Sequence, residues 1–214
     1  QKKSTKQSTK IIAISEIQKS ELSKIHKICP ENKIEVIPLG FDLERFNTDK
    51  DSKRKEFRKK WNLKENEIAI GIIGRLVPIK NHKFFIDAVQ EVLKNSKVPI
   101  RAFIVGDGEE KQNIINYIKN KNLDFSLNYN PATFHLTSWI KEIDRVNSGM
   151  DIICLTSLNE GTPVSLIEAQ ASGKPIVSTK TGGIENIVLE NKTALLSEKN
   201  DLHNFSKNLL SIVN

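Results

Sequence analysis

Glu160 and Glu168 stand eight residues apart around Thr162-Pro163, which puts one carboxylate in a loop and the other inside the helix that follows. Thr162 is a favoured N-cap, and Pro163 suits the first helical position, where its missing N–H has no partner to lose. Gly173 stands where a left-handed C-cap belongs, with Lys174-Pro175 blocking continuation. Amides at the start of such a helix favour negative charge. A ligand with both phosphate and hydroxyls satisfies the whole arrangement, phosphate at the amides and hydroxyls at the glutamates; a nucleotide sugar is one. Glu168 falls among Leu166, Ile167, Ala169 and Ala171. Burial there gives its carboxylate a need for a hydroxyl or a cation. Gly161 lets the backbone approach a ligand closely.

Arg75 and Lys80 flank a proline-containing loop directly after an apolar run. A planar guanidinium fork and a mobile ammonium together suit a diphosphate. At roughly 1.5–3 kcal/mol per charge-assisted bond, the pair changes affinity by about a hundred- to ten-thousand-fold. Gly106-Asp107-Gly108 reads as a tight strand-to-helix turn in which Asp107 caps the next helix. Asp49-Lys50-Asp51 lies in a lysine-rich connection and reads as solvent-facing. His26, His82, His135 and His203 make no metal-ligand spacing, and Cys29 and Cys154 read as idle thiols of a reducing cytosol.

These groups need a frame. Short aliphatic runs at 11–14, 34–37, 68–73, 100–105, 152–155, 176–178 and 194–196 alternate with helical patterns at 16–28, 52–61, 82–94, 109–120, 141–147, 163–172 and 201–212. Continuous apolar strands separated by helices indicate an α/β fold, a parallel sheet covered on both faces. Residues 123–131 read as loop with a short strand. In such sheets ligands sit beyond the carboxyl ends of the strands. The loops at 74–80, 106–108 and 156–162 all follow strands and should open on one edge.

The chain has 214 residues, 38% of them apolar, and a formal net charge of +7. No apolar run approaches the ~18 residues of a membrane span, and the polar residues 1–10 do not read as a secretory signal. Eight basic residues crowd between Lys50 and Lys64 beside Phe57 and Trp61. The favoured reading is a solvated helix face; contact with an anionic membrane surface or with nucleic acid is the alternative.

In order and spacing, several segments resemble the retaining glycosyltransferase family 4, also called group 1, of the two-domain GT-B architecture. They are Val36-Ile37-Pro38-Leu39-Gly40-Phe41-Asp42 with Phe46, Gly74-Arg75-Leu76 with Lys80, and Val105-Gly106-Asp107-Gly108. Further on come Glu160-Gly161-Thr162-Pro163 through Glu168-Ala169, Gly173-Lys174-Pro175-Ile176-Val177 and Gly182-Gly183-Ile184-Glu185. The resemblance implies a Rossmann-like parallel sheet with helices on both faces, the C-terminal half of such an enzyme. Residues 1–38 would be trailing elements of an N-terminal acceptor domain and hinge, and 39–214 the donor domain.

It further implies that Arg75 and Lys80 bind the donor diphosphate and that Glu160 holds sugar hydroxyls. Amides of Gly161, Thr162, Val164 and Ser165 would lie beside sugar and phosphates, with Pro163 among them, and Glu168 would take the ribose. Gly74, Gly106, Gly108 and Thr137 complete the donor contacts, the base stacking near 105–108 and the 136–139 turn. A hexose from a nucleoside-diphosphate sugar, UDP favoured, would pass with retention to a sugar or lipid-linked acceptor. No cofactor, metal or nucleic acid is expected. The setting would be cytoplasmic with possible peripheral contact to the inner membrane face, and the chain alone would turn over little. Leu39, Ser138 and Ala194 depart from residues frequent in the family. A sugar-nucleotide epimerase of the same architecture and a non-catalytic basic Rossmann-like module are the competing readings.

Overall fold

The computed structural model describes Thr5 and residues 7–214; part of the polar opening segment, residues 1–4 and 6, lies outside the described residues. The chain divides into two compact units, Gln1–Asp42 and Leu43–Asn214. In the first, β1 (Ile11–Ala13) pairs in parallel with β2 (Ile34–Val36), Ile11 opposite Ile34. Helix α1 (Glu16–Ser20) starts at Ser15, whose side chain accepts the Gln18 N–H. The single helix expected over 16–28 is instead broken. From Glu21 to Ile25 the turns widen to a π-helix, and Ser23 Oγ donates to the Ser20 carbonyl, a local bond that competes with the regular ladder.

The second unit is built on a seven-stranded sheet. Its strands are β3 (Ile68–Ile73), β4 (Ile100–Val105), β5 (Phe125–Ser126), β6 (Phe134–Leu136), β7 (Ile152–Leu155), β8 (Ile176–Thr179) and β9 (Ala194–Ser197). They run in the order β5-β6-β4-β3-β7-β8-β9, every pair parallel. From β3 the chain passes to β4, then to the edge strand β5, fills in β6 between them, and returns to β3's other side at β7. The order therefore reverses between β3 and β7, and the crevice outside their carboxyl ends is where such a sheet takes its ligand.

Alternation along the central strands feeds two cores. Ile100, Ala102 and Ile104 join Ile70, Ile72, Phe85, Val89 and Phe205 on one face. Phe103, Val105, Ala69 and Ile153 join Phe57, Trp61, Val146 and Leu166 on the other. Helices therefore cover both faces, as the continuous apolar strands required. Among the described residues, no helix is long and apolar enough to cross a membrane.

The basic segment is not a uniformly solvated face. In the helix Lys50–Lys60, Lys53 reaches Asp144 (3.0 Å), while Arg54 and Arg58 reach Asp151 (2.7 and 3.3 Å). Phe57 and Trp61 lie in the core rather than beside a ligand. Asp49 and Asp51 are exposed, as expected. A short helix, Glu44–Asn47, was not legible; it buries Phe46.

Two histidines are buried uncharged. His135 stacks on Phe103 with ring centroids 4.8 Å apart, and its Nε2 accepts from Arg101 Nε at 3.1 Å. An arginine cannot give up its proton, so this ring nitrogen stays unprotonated. Burial first, then the Arg101 charge, lowers His135 to about 4; burial first, then Lys80, lowers His82 to about 4. Between the ordinary 6.5 and about 4 the unfolded chain binds protons that the native chain refuses. Stability is therefore full above pH 6.5 and falls as pH drops toward 4. Urea midpoints measured across this range should decline with acid, and His135→Asn should flatten part of that slope.

Candidate functional site

The loops after β3 and β7 meet across the point where the strand order reverses. Lys80 ends a short 3₁₀ turn, Pro78–Lys80, and its Nζ lies 2.5 Å from Glu160 Oε1. Ser157 Oγ donates to the same oxygen at 2.5 Å. Glu160 Oε2 has no hydrogen-bond partner among the described residues. Both side chains are mostly shielded, Lys80 at 20% and Glu160 at 11% exposure. Thr156 Oγ1 donates to the Lys80 carbonyl at 2.9 Å, and the Leu158 N–H to the Ile79 carbonyl at 2.8 Å, so backbone contacts fix the same approach.

Neighbouring loops close on this pair from both sides. A Cβ on Gly106 would sit 1.9 Å from the Gly74 carbonyl oxygen, and the Gly74 N–H donates to Val105 at 2.9 Å. Gly108 lies similarly close to the Leu76 carbonyl. On the other side the Gly183 N–H donates to the Glu160 carbonyl at 2.9 Å. A Cβ on Gly182 would fall 1.9 Å from that carbonyl oxygen, and Gly182 has φ +55. Only glycine permits such approaches. Gly74 itself borders the Lys80 stem, with Cε 3.6 Å from its Cβ position.

The structure thus brings Lys80, Glu160, Gly74 and Gly106 into one network. Arg75 is exposed, and its guanidinium forms no hydrogen bond or ion pair among the described residues. Glu168 is half-buried inside the helix Val164–Ala171. Burial pushes its carboxyl above the usual range, with the Arg45 charge opposing. No hydrogen bond joins either residue to the Lys80–Glu160 pair. Thr137 is half-buried and donates to the Ser138 carbonyl at 2.9 Å. Gly161 faces open space, with nothing within 4 Å of its Cβ position.

Two capping expectations are corrected. Pro163, not Thr162, is the N-cap of the Val164–Ala171 helix: its ψ of 92 keeps it extended, and no side chain caps the first turn. Ser165 and Val164 therefore belong to the helix, while Thr162 belongs to the loop. Asp107 does not cap the next helix, which begins at Lys111 after Glu110. Its carboxylate instead accepts from Lys111 Nζ, which does most to hold it below the usual carboxylate range, and from the Gly108 N–H, both at 2.9 Å. Lys111 Nζ also reaches Ser138 Oγ at 2.6 Å, so the turn after β4 is tied to the turn after β6. At its C-terminus the Val164–Ala171 helix ends as expected: Gly173 has φ +70. The N–H groups of Gly173 and Lys174 return to Gln170 and Ala169, both at 2.9 Å.

Ser157, Gly182, Gly183 and Arg45 were not singled out as site residues. The Gly182-Gly183 pair was visible as a motif, but nothing near it in the chain pointed to Glu160.

A doubly wound parallel sheet covered by helices on both faces, with its charged loops at the strand reversal, defines a Rossmann-like α/β domain. Residues 53–214 match the family model of glycosyl transferases group 1, and the chain belongs to that family. It is 33% identical over 182 residues to the Escherichia coli UDP-Gal:alpha-D-GlcNAc-diphosphoundecaprenol alpha-1,3-galactosyltransferase, covering 84% of this chain and 45% of that one. Its fold is similar to that of Anabaena Alr3699/HepE in complex with UDP and glucose (TM-score 0.77, 21% identity, 97% of this chain and 53% of that one). It is also similar to the C-terminal domain of a glycosyl transferase group 1 family protein (LpcC) from Francisella tularensis (TM-score 0.65, 21% identity, 81% and 88%). The chain spans about half the length of the curated relatives it matches.

The two loop glycines separate packing from access. Gly182→Ala should lower unfolding free energy by about 1–3 kcal/mol, because its methyl meets a backbone carbonyl. Gly161→Ala should stay within about 0.5 kcal/mol of the parent. Urea unfolding of both variants checks this; equal losses would contradict the loop packing described.

Proposed function

We propose that this chain is the donor-binding half of a retaining glycosyltransferase. It would move a hexose-type unit from a nucleoside-diphosphate sugar, UDP favoured, to a sugar or lipid-linked acceptor held by a further domain. One observation carries the reading: an ammonium suited to a diphosphate sits against a carboxylate suited to sugar hydroxyls, at the sheet's ligand crevice. The relative's name, with UDP-Gal as donor and a diphosphoundecaprenol-linked acceptor, supports both donor class and acceptor class. The UDP and glucose in the Anabaena complex support the donor.

In this scheme Glu160 Oε2 accepts a donor-sugar hydroxyl while Oε1 stays on Lys80 and Ser157. Glu168 accepts from the ribose hydroxyls. Its burial makes an unpartnered charge costly there, and a bound hydroxyl relieves that cost. As the bond from sugar C1 to the diphosphate oxygen breaks, negative charge builds on the leaving group. Lys80 and Arg75 stabilise that charge most where it is greatest, in the transition state. The acceptor oxygen bonds C1 on the same face, and its proton passes to the departing phosphate oxygen. These two cations supply the neutralisation, and the scheme uses no metal or cofactor. The reaction is assigned to the cytoplasmic side, with peripheral membrane contact through the acceptor.

Thermal melting with UDP-, GDP- and ADP-sugars tests the reading, because a ligand bound only to the folded state raises the melting temperature. One nucleotide sugar, the UDP form, should stabilise the parent, while Lys80→Ala and Glu168→Ala blunt the shift. Three proteins responding alike would refute the assignments. Gly161→Ala should lose ligand affinity without losing stability. The 214-residue chain alone should show little or no transfer to acceptor.

A further inference from the structure

The sheet's amino edge, opposite these loops, carries a second cluster of charges. Asp151 immediately precedes β7 and Lys174 lies just before β8, so both stand at the entry ends of parallel strands. Asp151 is fully engaged. Its Oδ1 takes Arg54 Nη2 at 2.7 Å, and its Oδ2 takes Arg58 Nη1 at 3.3 Å and the Ala69 N–H at 2.7 Å.

Two neighbouring lysines have no carboxylate among the described residues. Lys174 Nζ donates to the Ser148 carbonyl at 3.0 Å and forms no ion pair among the described residues. Lys50 Nζ donates to Asn47 Oδ1 at 3.1 Å, and lies 4.0 Å from the Cβ position of Gly173, next to Lys174 in the chain. Arg58 Nε is buried with no hydrogen-bond partner among the described residues. Helix-end carbonyls compensate in part, with Ser148 accepting from Lys174 and Met150 from Arg54 Nη1 at 3.5 Å.

Arg54 and Arg58 thus saturate Asp151, while Lys50 and Lys174 stand beside this cluster without a carboxylate of their own. Lys174 registers the imbalance: burial first, then Arg54, with Lys50 and Arg58 adding and Asp151 opposing, lowers its ammonium to about 8. A half-buried excess of positive charge is what an anion compensates.

We propose that Lys50, Arg54 and Lys174 form a binding site for a phosphate-class anion at the amino edge of the sheet, with Arg58 anchoring Asp151 behind it. Arg54 supplies a guanidinium with N–H groups beyond those spent on Asp151, and the two lysines supply mobile point charges. Inorganic phosphate and the phosphate of an anionic lipid headgroup share this chemistry. The site stands apart from the donor crevice and does not depend on the proposed transfer reaction.

The test uses the Arg75→Ala/Lys80→Ala chain, so that carboxyl-edge cations do not answer for it. Inorganic phosphate about tenfold above its Kd should raise the melting temperature by roughly 3–5 °C over chloride at matched ionic strength. Adding Lys174→Met should abolish this shift, and Lys174→Arg should keep it. The readout is the ligand-induced shift, not the variant's own melting temperature. Should Lys174→Met fail to fold, Arg54→Gln with phosphorus-31 line broadening replaces it, with the same loss expected. No excess over chloride, or a response surviving both variants, overturns the site. Flotation with phosphatidylglycerol or phosphatidylcholine vesicles identifies the source. Capture only by phosphatidylglycerol, displaced by phosphate, assigns the headgroup. A phosphate shift without capture assigns the free ion. Capture that survives Lys174→Met counts against the site.

Discussion

The ion pair between Lys80 and Glu160 holds the carboxyl edge together. It joins the loops of β3 and β7, the two strands between which the sheet reverses its order. Neither charge is isolated in a mostly shielded place: each is the other's partner before any ligand arrives, so neither bears an uncompensated desolvation cost. The pair is also asymmetric. Lys80 and Ser157 share one carboxylate oxygen and leave the second with no protein partner among the described residues. A pair held this way is preorganised: its charges are already in place, and one carboxylate oxygen stays open to a further donor.

That contact depends on backbone geometry around it. Gly106 against the Gly74 carbonyl and Gly182 against the Glu160 carbonyl let adjacent loops lie closer than any side chain permits. These approaches fix the Lys80 and Glu160 loops from outside, as the Ile79 and Lys80 carbonyls fix them from within. The two edges of the sheet consequently differ in charge. Mixed charges and glycines gather where strands end, while cations gather where strands begin.

The central strands were legible to the residue at 68–73, 100–105 and 152–155, because largely apolar runs covered on both faces stop at Gly74, Gly106 and Thr156. Lys80 and Glu160 were legible by type and by their place after strands. Their mutual contact was not, since 80 residues separate them and no local pattern encodes it. The same distance hid the role of Gly182, whose neighbour Glu160 lies on another loop. Local rules also erred at the caps. Thr162 has the chemistry of an N-cap, yet Pro163 stays extended and takes the position. Charge counting erred at the Lys50–Lys60 helix, because composition does not say which side faces Asp144 and Asp151.

A double-mutant cycle on Lys80→Met and Glu160→Gln, read as nucleotide-sugar affinity, tests the central claim most directly. If the pair acts as one unit within one pocket, each single variant loses affinity and the double variant loses much less than their sum. Strictly additive losses, or a variant that binds as the parent does, would mean that the two residues do not share a donor pocket.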